Sequence, residues 1–447
     1  MTPYTNAPLH ATQTRPSSPA GCYTPFEKPM SEDPDRRALL DAPRPRRDLP
    51  LLIDPAKRRL PLATESREID QKVRPIYAVW EITLACDLAC RHCGSRAGRA
   101  RGDELDTREC LDLVDQLADL GVMEVILIGG EAYLRDDWLE VIAHIKKRGM
   151  TPLMTTGGRG LSKERARAAA AAGLASASVS IDGAEETHDR LRAWKGSYAA
   201  ALEALENLRE AGVKVSANTQ INRLSMREMH HVFETIEARH VHSWQIQITV
   251  GMGRAADEPE VLLQPYDLLE LFPILGDIAD RCKAANIRLW PGNNVGYFGP
   301  IESKLHGTMP RGHMASCGAG WSGMGIESDG TIKGCPSLST ATWSGGSIRD
   351  AKLVDIWERA PKLRYTRDRT VDDLWGYCRT CYYAEVCMGG CTWTSESIFG
   401  RPGNNPLCHH RALEHQRMGK RERIVPVEAA PGVPFDHARF DVIVEDA

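Results

Sequence analysis

Between Pro75 and about Trp290, short apolar runs alternate with stretches whose apolar residues recur every three or four positions. Ile76 to Thr83 reads as the first strand. Asp106-Thr107-Arg108-Glu109 has the form of a capping box, and Leu113, Val114, Leu117 and Leu120 follow it at helical spacing before Gly121 as a stop. The alternation then continues. Val122 to Ile128 reads as strand, Trp138 to Lys147 as helix, Thr151 to Thr155 as strand, Ala-rich 163–172 as helix and Ala175 to Ile181 as strand. Helix 198–211, strand Val213 to Asn218, helix 225–238 and strand Ser243 to Val250 complete the series. Six strands separated by helices predict a parallel sheet with right-handed crossovers, which leaves both a doubly wound sheet and a barrel open. Either architecture gathers ligands at the carboxyl ends of its strands.

The flanks lack this periodicity. Residues 1–73 are rich in Pro, Arg and Asp, as in Pro43-Arg44-Pro45-Arg46-Arg47-Asp48, and are expected to form an extended or disordered arm, solvated rather than docked on a partner. Residues 416–447 are expected as a C-terminal tail. A chain of 447 residues, 42% hydrophobic and 26% charged, is globular and long enough for two domains. A net charge of −4 gives no electrostatic case for nucleic acid or an anionic membrane. No apolar run is long enough to span a bilayer, and Met1 to Leu39 lacks an export signal, so the cytoplasm is the expected compartment. In such a chain thirteen cysteines read as metal ligands rather than disulfides.

Three of them follow the first strand as C-x3-C-x2-C: Cys86, Cys90 and Cys93. Three thiolates leave one iron of a [4Fe–4S] cube without a protein ligand, whereas a cluster used only to carry electrons is normally closed by a fourth. A zinc site would draw on His92, but its neighbour Cys93 crowds that geometry. The stretch Glu81 to Cys93 resembles the signature of radical S-adenosylmethionine (SAM) enzymes. The resemblance implies that SAM chelates the open iron through its amino and carboxylate groups, and that His92 lies beside the adenine. It further implies that one electron cleaves SAM to methionine and a 5′-deoxyadenosyl radical, which takes hydrogen from a substrate. Gly129-Gly130-Glu131, after the second strand, resembles the family's GGE motif, whose acid binds the ammonium of SAM. Ser180-Ile181-Asp182-Gly183 with His188 to Arg192, after the fourth, resembles its ribose and carboxylate segment. Ser180 and Arg192 are the implied SAM contacts, with Arg190 competing for the second role and His188 read as structural. The implied fold is a partial (β/α)6 TIM-type barrel over residues 74–300.

The last third carries Cys317, Cys335, Cys378, Cys381, Cys387, Cys391 and Cys408. A pair of structural zinc sites competes for these seven. Their order resembles the SPASM domain, here residues 301–415, which holds auxiliary [4Fe–4S] clusters. By that resemblance Cys378, Cys381, Cys387 and Cys408 close one cluster, while Cys317, Cys335 and Cys391 begin another. Gly318 to Lys333 contains no further cysteine, so the fourth ligand stays open among His313, a residue from elsewhere, water and a substrate group. Cys110 and Cys282 read as helical core residues, and Cys22 lies in the arm. The tryptophans at 290, 321, 343, 375 and 393 read as packing rather than an electron path.

The cofactors implied are SAM and three [4Fe–4S] clusters, one binding SAM and two auxiliary. The leading function is an oxidoreductase-type maturase that installs a crosslink, oxidation or epimerisation on a ribosomally made peptide. A SPASM enzyme for a sulfatase or a small-molecule cofactor precursor is the alternative. An iron–sulfur electron carrier is weaker, having no use for an open iron. Expected partners are a peptide or protein substrate and a low-potential donor such as flavodoxin or ferredoxin. A separate leader-binding protein is a further candidate, since the arm does not read as a winged helix.

Overall fold

The computed structural model describes residues 62–447 except 64, 310, 311, 314 and 315. Strands β1 (Tyr77–Thr83), β2 (Glu124–Gly129), β3 (Thr151–Thr156), β4 (Ser176–Ser180), β5 (Lys214–Ile221) and β6 (Ser243–Ile248) occupy the six expected runs and pair in parallel in that order. A doubly wound sheet would reverse its order at a switch point. Strands that stay in chain order, wound in one direction by helical crossovers, instead build the wall of a partial barrel. The intervening helices form where the pattern placed them. Asp106 accepts the Glu109 N–H at 2.8 Å and Glu109 returns the bond at 2.9 Å, starting the helix Thr107–Leu120. Gly121, at φ +92°, ends it. Its buried face, Leu113, Val114, Leu117 and Leu120, packs into the same core as Ala78, Trp80 and Ile82 of β1. No helix among the described residues is long and apolar enough to cross a membrane.

The sheet is wider than the six runs. β7 (Arg288–Pro291) adds beside β6, β8 (Gly323–Ile326) lies parallel to β1, and β9 (Ile332–Lys333) turns back antiparallel on β8. The order is therefore β7-β6-β5-β4-β3-β2-β1-β8-β9, and it runs into the cysteine-rich region without a break. β8 escapes a periodicity search because its sequence is Gly-Met-Gly-Ile. A Cβ on Gly325 would sit 2.3 Å from the Pro336 nitrogen, so the close approach of β8 to the Cys335 turn excludes side chains there.

Both flanks depart from expectation where they are described. Residues 1–61 of the expected arm lie outside the described residues, as does Cys22, but Glu68–Lys72 is a helix whose Asp70 is fully buried. Arg67, Arg364 and Arg367 reach its carboxylate at 2.7, 2.9 and 2.8 Å. Burial alone would raise the Asp70 pKa, yet these guanidiniums hold it below the usual carboxylate range. A segment docked through ion pairs and bonds to its backbone, such as Trp357 Nε1 to Val73 O at 2.8 Å, shows no apolar period. The expected tail instead holds an antiparallel hairpin, β10 (Lys420–Glu428) and β11 (Arg439–Asp446). Cross-strand pairs such as Arg421–Glu445 at 2.9 Å hold it, and such charged strands do not read as strands by hydropathy.

A buried charge cluster ties β1 to the β8–β9 turn. Glu81 accepts from Arg101 at 3.2 Å and from the Ser328 hydroxyl at 3.1 Å, while Glu327 pairs with Arg101 at 2.8 Å and Lys333 at 2.6 Å. Burial pushes the Glu81 carboxyl up to about 7, against the opposing pull of Arg101. A carboxyl with a higher pKa folded than unfolded holds an extra proton in the native state between the two values. Its contribution is full below the ordinary value and is lost as pH rises through about 7, up to about 3 kcal/mol in all. Between pH 5 and pH 8 the wild type should therefore lose more stability than Glu81→Gln, measured by anaerobic thermal unfolding. Equal losses would mean that Glu81 is already ionised in the fold.

Candidate functional site

The chain leaves β1 into a loop whose neck is closed by two backbone bonds, Gly98 N–H to Leu84 O at 2.8 Å and Cys86 N–H to Gly98 O at 3.1 Å. This loop delivers Cys86, Cys90 and Cys93 to a cavity of about 250 Å³ at the carboxyl ends of the strands. His92, Gly129, Gly130, Glu131, Ser180 and Arg192 line the same cavity, so every residue expected at the first site is brought to one place. Only glycine allows this convergence at 130, because a Cβ there would lie 1.8 Å from the Ala85 carbonyl oxygen. The close approach lets Gly130 N–H donate to Thr83 O at 2.7 Å and Glu131 N–H to Ala85 O at 2.8 Å, tying the end of β2 to the cysteine loop.

Glu131 is buried and accepts from the Thr156 hydroxyl at 2.5 Å and the Gly157 N–H at 2.6 Å. Burial pushes its carboxyl up to about 7, with these two donors opposing. Each oxygen keeps a further lone pair for a cationic ligand group, whose charge would favour the ionised form.

The organising residue of the fourth-strand segment is Asp182, to which sequence reasoning gave no role. It is fully buried and accepts from Arg192 Nε at 2.7 Å and from the Gln220 N–H at 3.0 Å. His92 Nε2 lies 3.4 Å away, and His188 Nδ1 accepts the Asp182 N–H at 3.1 Å. Burial would raise its pKa, but Arg192 and His92 hold it far below the usual carboxylate range. Arg192 is neither a surface pair nor a free cation: it is buried, clamped by Asp182, and its Nη1 reaches the Cys90 sulfur at 3.6 Å. Arg190 is exposed and outside the cavity lining. Asp182 stands two residues past the carboxyl end of β4, behind the cavity lining, and that position was the available signal.

A second omission follows β6. Gly253, at φ +56°, has no room for a Cβ, which would meet Cys93 O at 2.2 Å. Next to it, Arg254 donates to the carbonyls of Cys93 (3.0 Å, through N–H), Cys90 (2.6 Å) and Ala97 (3.1 Å). The hairpin adds a third clamp, since Asp436 accepts from Arg96 at 2.8 Å and its carbonyl accepts the Gly253 N–H at 2.9 Å. These are loop-to-loop contacts over long sequence separations, which no local pattern encodes.

The other seven cysteines fall into two groups. Cys378, Cys381, Cys387 and Cys408 line one small pocket with Tyr297 and Tyr383. Cys317 and Cys335 pack beside Ala319, Leu338 and Trp343, and Cys391 packs with Tyr297. Trp393 packs against both of these apolar clusters, which brings the three thiols to one region. Burial pushes Cys86, Cys387 and Cys391 up to about 12 and Cys335 to about 11. Buried thiols of this kind ionise on a metal, and soft thiolate sets of three and four suit iron–sulfur clusters. None of the twelve described cysteines is in a disulfide. Cys110 and Cys282 are buried core residues. His313 packs tilted against Phe298, ring centres 5.4 Å apart. Trp290 and Trp321 are each 44% exposed and so are not core, whereas Trp393 lines the main cavity and donates to Met252 Sδ at 3.0 Å.

Residues 80–236 match the radical SAM superfamily, and residues 317–382 match SPASM, an iron-sulfur cluster-binding domain. An AdoMet-dependent heme synthase of Methanosarcina barkeri is 30% identical over 330 residues, covering 70% of this chain and 90% of the relative. Mycofactocin maturase MftC of Mycobacterium ulcerans is 29% identical over 362 residues, covering 78% and 93%. Among solved structures, Streptococcus suis SuiB bound to S-adenosylmethionine superposes with a TM-score of 0.59 at 17% identity, covering 75% of this chain and 76% of that one.

Proposed function

Because the chain belongs to the radical SAM superfamily and carries a SPASM iron–sulfur domain, we propose that it is a maturase that modifies a ribosomally made peptide by hydrogen abstraction. In this reading Cys86, Cys90 and Cys93 hold the SAM-binding cluster. Glu131 takes the ammonium of SAM, Ser180 its ribose and Arg192 its carboxylate, while His92 flanks the adenine. Cys378, Cys381, Cys387 and Cys408 hold one auxiliary cluster, and Cys317, Cys335 and Cys391 hold a second. The bound cofactors supply a 5′-deoxyadenosyl radical when an electron arrives from a donor such as flavodoxin or ferredoxin. Thiolate ligands need reducing conditions, so the cytoplasm is the compartment of the proposal. The domains of the proposal are an arm to residue 73, the barrel over 74–300, the SPASM region over 301–415 and the remainder from 416.

The relatives divide between a maturase and a haem synthase by name. What favours a peptide is the state of the cavity's cations. A tetrapyrrole brings several carboxylates, each needing a donor or a cation. Among the described lining residues the guanidiniums are Arg192, which pairs with Asp182 and in this reading also takes the carboxylate of SAM, and Arg254, which holds backbone carbonyls, so neither is left for a second carboxylate ligand. The lining instead includes Gln220, Gln247, Thr249, Trp393 and Phe435. Gln220 donates to Gln247 at 3.0 Å, and Thr249 Oγ1 is buried without a partner. Amides, a hydroxyl and aromatic faces suit a neutral peptide backbone and side chain.

The test has two parts. Anaerobically reconstituted protein should bind about 12 irons per chain, four for each of three clusters. An active, iron-free, zinc-loaded protein would reject the reading. With dithionite and SAM, 5′-deoxyadenosine formation should rise when a short peptide encoded beside the gene is added, and the peptide should change mass through a crosslink, oxidation or epimerisation (the last seen after deuterium labelling). A leader-binding protein encoded nearby should increase the rate. Stimulation by iron-coproporphyrin and not by peptide would place the chain with the haem synthases instead.

A further inference from the structure

Tyr297 stands between the two groups of auxiliary cysteines and touches both. Its backbone is left-handed at φ +77°, as is that of Phe298 at +56°, an arrangement that costs of order 1–3 kcal/mol per residue and persists only where the surroundings fix it. Its ring is buried and lines the pocket of Cys378, Cys381, Cys387 and Cys408. The Tyr297 carbonyl accepts the His410 N–H at 3.3 Å and faces the Cys408 sulfur at 3.8 Å. Its hydroxyl accepts the Cys391 N–H at 2.8 Å and donates to the Asn293 carbonyl. Gly390 makes room for the ring, because a Cβ there would sit 2.9 Å from the phenol carbon. One side chain therefore packs against the four-thiol group while its hydroxyl ends on the backbone of the three-thiol group.

We infer that Tyr297 is a positioning residue shared by the two auxiliary clusters, and that its hydroxyl tunes the cluster held by Cys317, Cys335 and Cys391 by occupying the Cys391 N–H. The inference rests on the auxiliary clusters of the proposed function. Hydrogen bonds to cluster sulfurs, and dipoles near them, set reduction potential. A backbone N–H beside a thiolate ligand stabilises the reduced, more negative cluster. An oxygen lone pair on that N–H cancels its dipole and keeps the potential low. The ring contact with the other group means that the same side chain fixes how the two sites sit against each other, which a hydroxyl-only change leaves intact.

The experiment uses the full chain with Cys86, Cys90 and Cys93 replaced by Ala, so that only auxiliary clusters give signals. Iron analysis comes first: fewer than two clusters in this parent would defeat the underlying reading, independently of Tyr297. With both present, Tyr297→Phe should keep the iron and shift one of the two potentials upward in an EPR-monitored redox titration, leaving the other in place. Tyr198→Phe, which removes a hydroxyl that meets Thr235 at 3.0 Å on the barrel helices, should shift neither. If Tyr297→Phe loses iron, 4-fluorophenylalanine at position 297 keeps the ring and fills the space of the hydroxyl with a very weak acceptor, and should give an upward shift of the same potential. Two unmoved potentials in an iron-replete Tyr297→Phe or 4-fluorophenylalanine protein, or equal shifts in Tyr198→Phe, would overturn the assignment.

Discussion

Replacement of Cys86, Cys90 and Cys93 by Ala is expected to bring 5′-deoxyadenosine formation under dithionite below about 1% of the wild-type rate while leaving about two-thirds of the iron in place. The three thiols share one short loop, closed at its neck by Leu84, Cys86 and Gly98 and clamped by Arg254, so their loss removes ligands without removing the frame that presents them. The auxiliary cysteines are carried by a different part of the chain, from Cys317 onward, and the pocket of Cys378, Cys381, Cys387 and Cys408 contains none of the first three. The two losses should therefore separate. Iron analysis with product quantification by liquid chromatography reads both. Undiminished SAM cleavage would remove the cysteine loop from the reaction, and loss of all iron would show that the sites are built interdependently.

The barrel was legible because its information is local. A capping box at Asp106, a glycine stop at Gly121 and apolar runs of strand length each depend on neighbours within a turn or two, and all fell where expected. Cysteine spacing was equally legible, since ligands of one cluster loop must be close in sequence. What escaped was held by distant partners. Asp70 docks through Arg364 and Arg367, Asp436 reaches back to Arg96, and β8 enters the sheet through glycines whose value lies in what they do not carry. The charged strands β10 and β11 have the same character, pairing Arg421 with Glu445 where a hydropathy pattern sees only polar residues. At the site, the residues named by motif were found together, while Gly253 and Arg254, which hold them, carry no motif, and Asp182 lay inside a quoted segment without a role of its own.

Asp182 gives the sharpest test of that distinction. Asp182→Asn keeps the shape and deletes the charge, leaving the buried Arg192 guanidinium without its carboxylate and with only the Cys90 sulfur beside it. Breaking a buried pair in this way costs about 3–5 kcal/mol, because the remaining charge keeps its desolvation penalty and loses its attraction. His92, 3.4 Å from the same oxygen as Arg192, loses the charge it faces, and with the amide oxygen there the amide NH2 would meet the Gln220 N–H, a donor facing a donor. The variant should unfold at a clearly lower temperature, bind SAM more weakly and form 5′-deoxyadenosine at least about 100-fold more slowly, as expected when a first-contact group loses its support. Removing both members, as Asp182→Asn with Arg192→Met, should recover much of the stability, since no uncompensated charge remains, but none of the activity. Calorimetry of the anaerobic holoenzymes and SAM binding by equilibrium dialysis separate the two effects. A double variant that recovered SAM cleavage along with stability would show that Arg192 serves the fold alone, and a single variant with unchanged stability would show that the guanidinium turns to another partner once Asp182 is neutral.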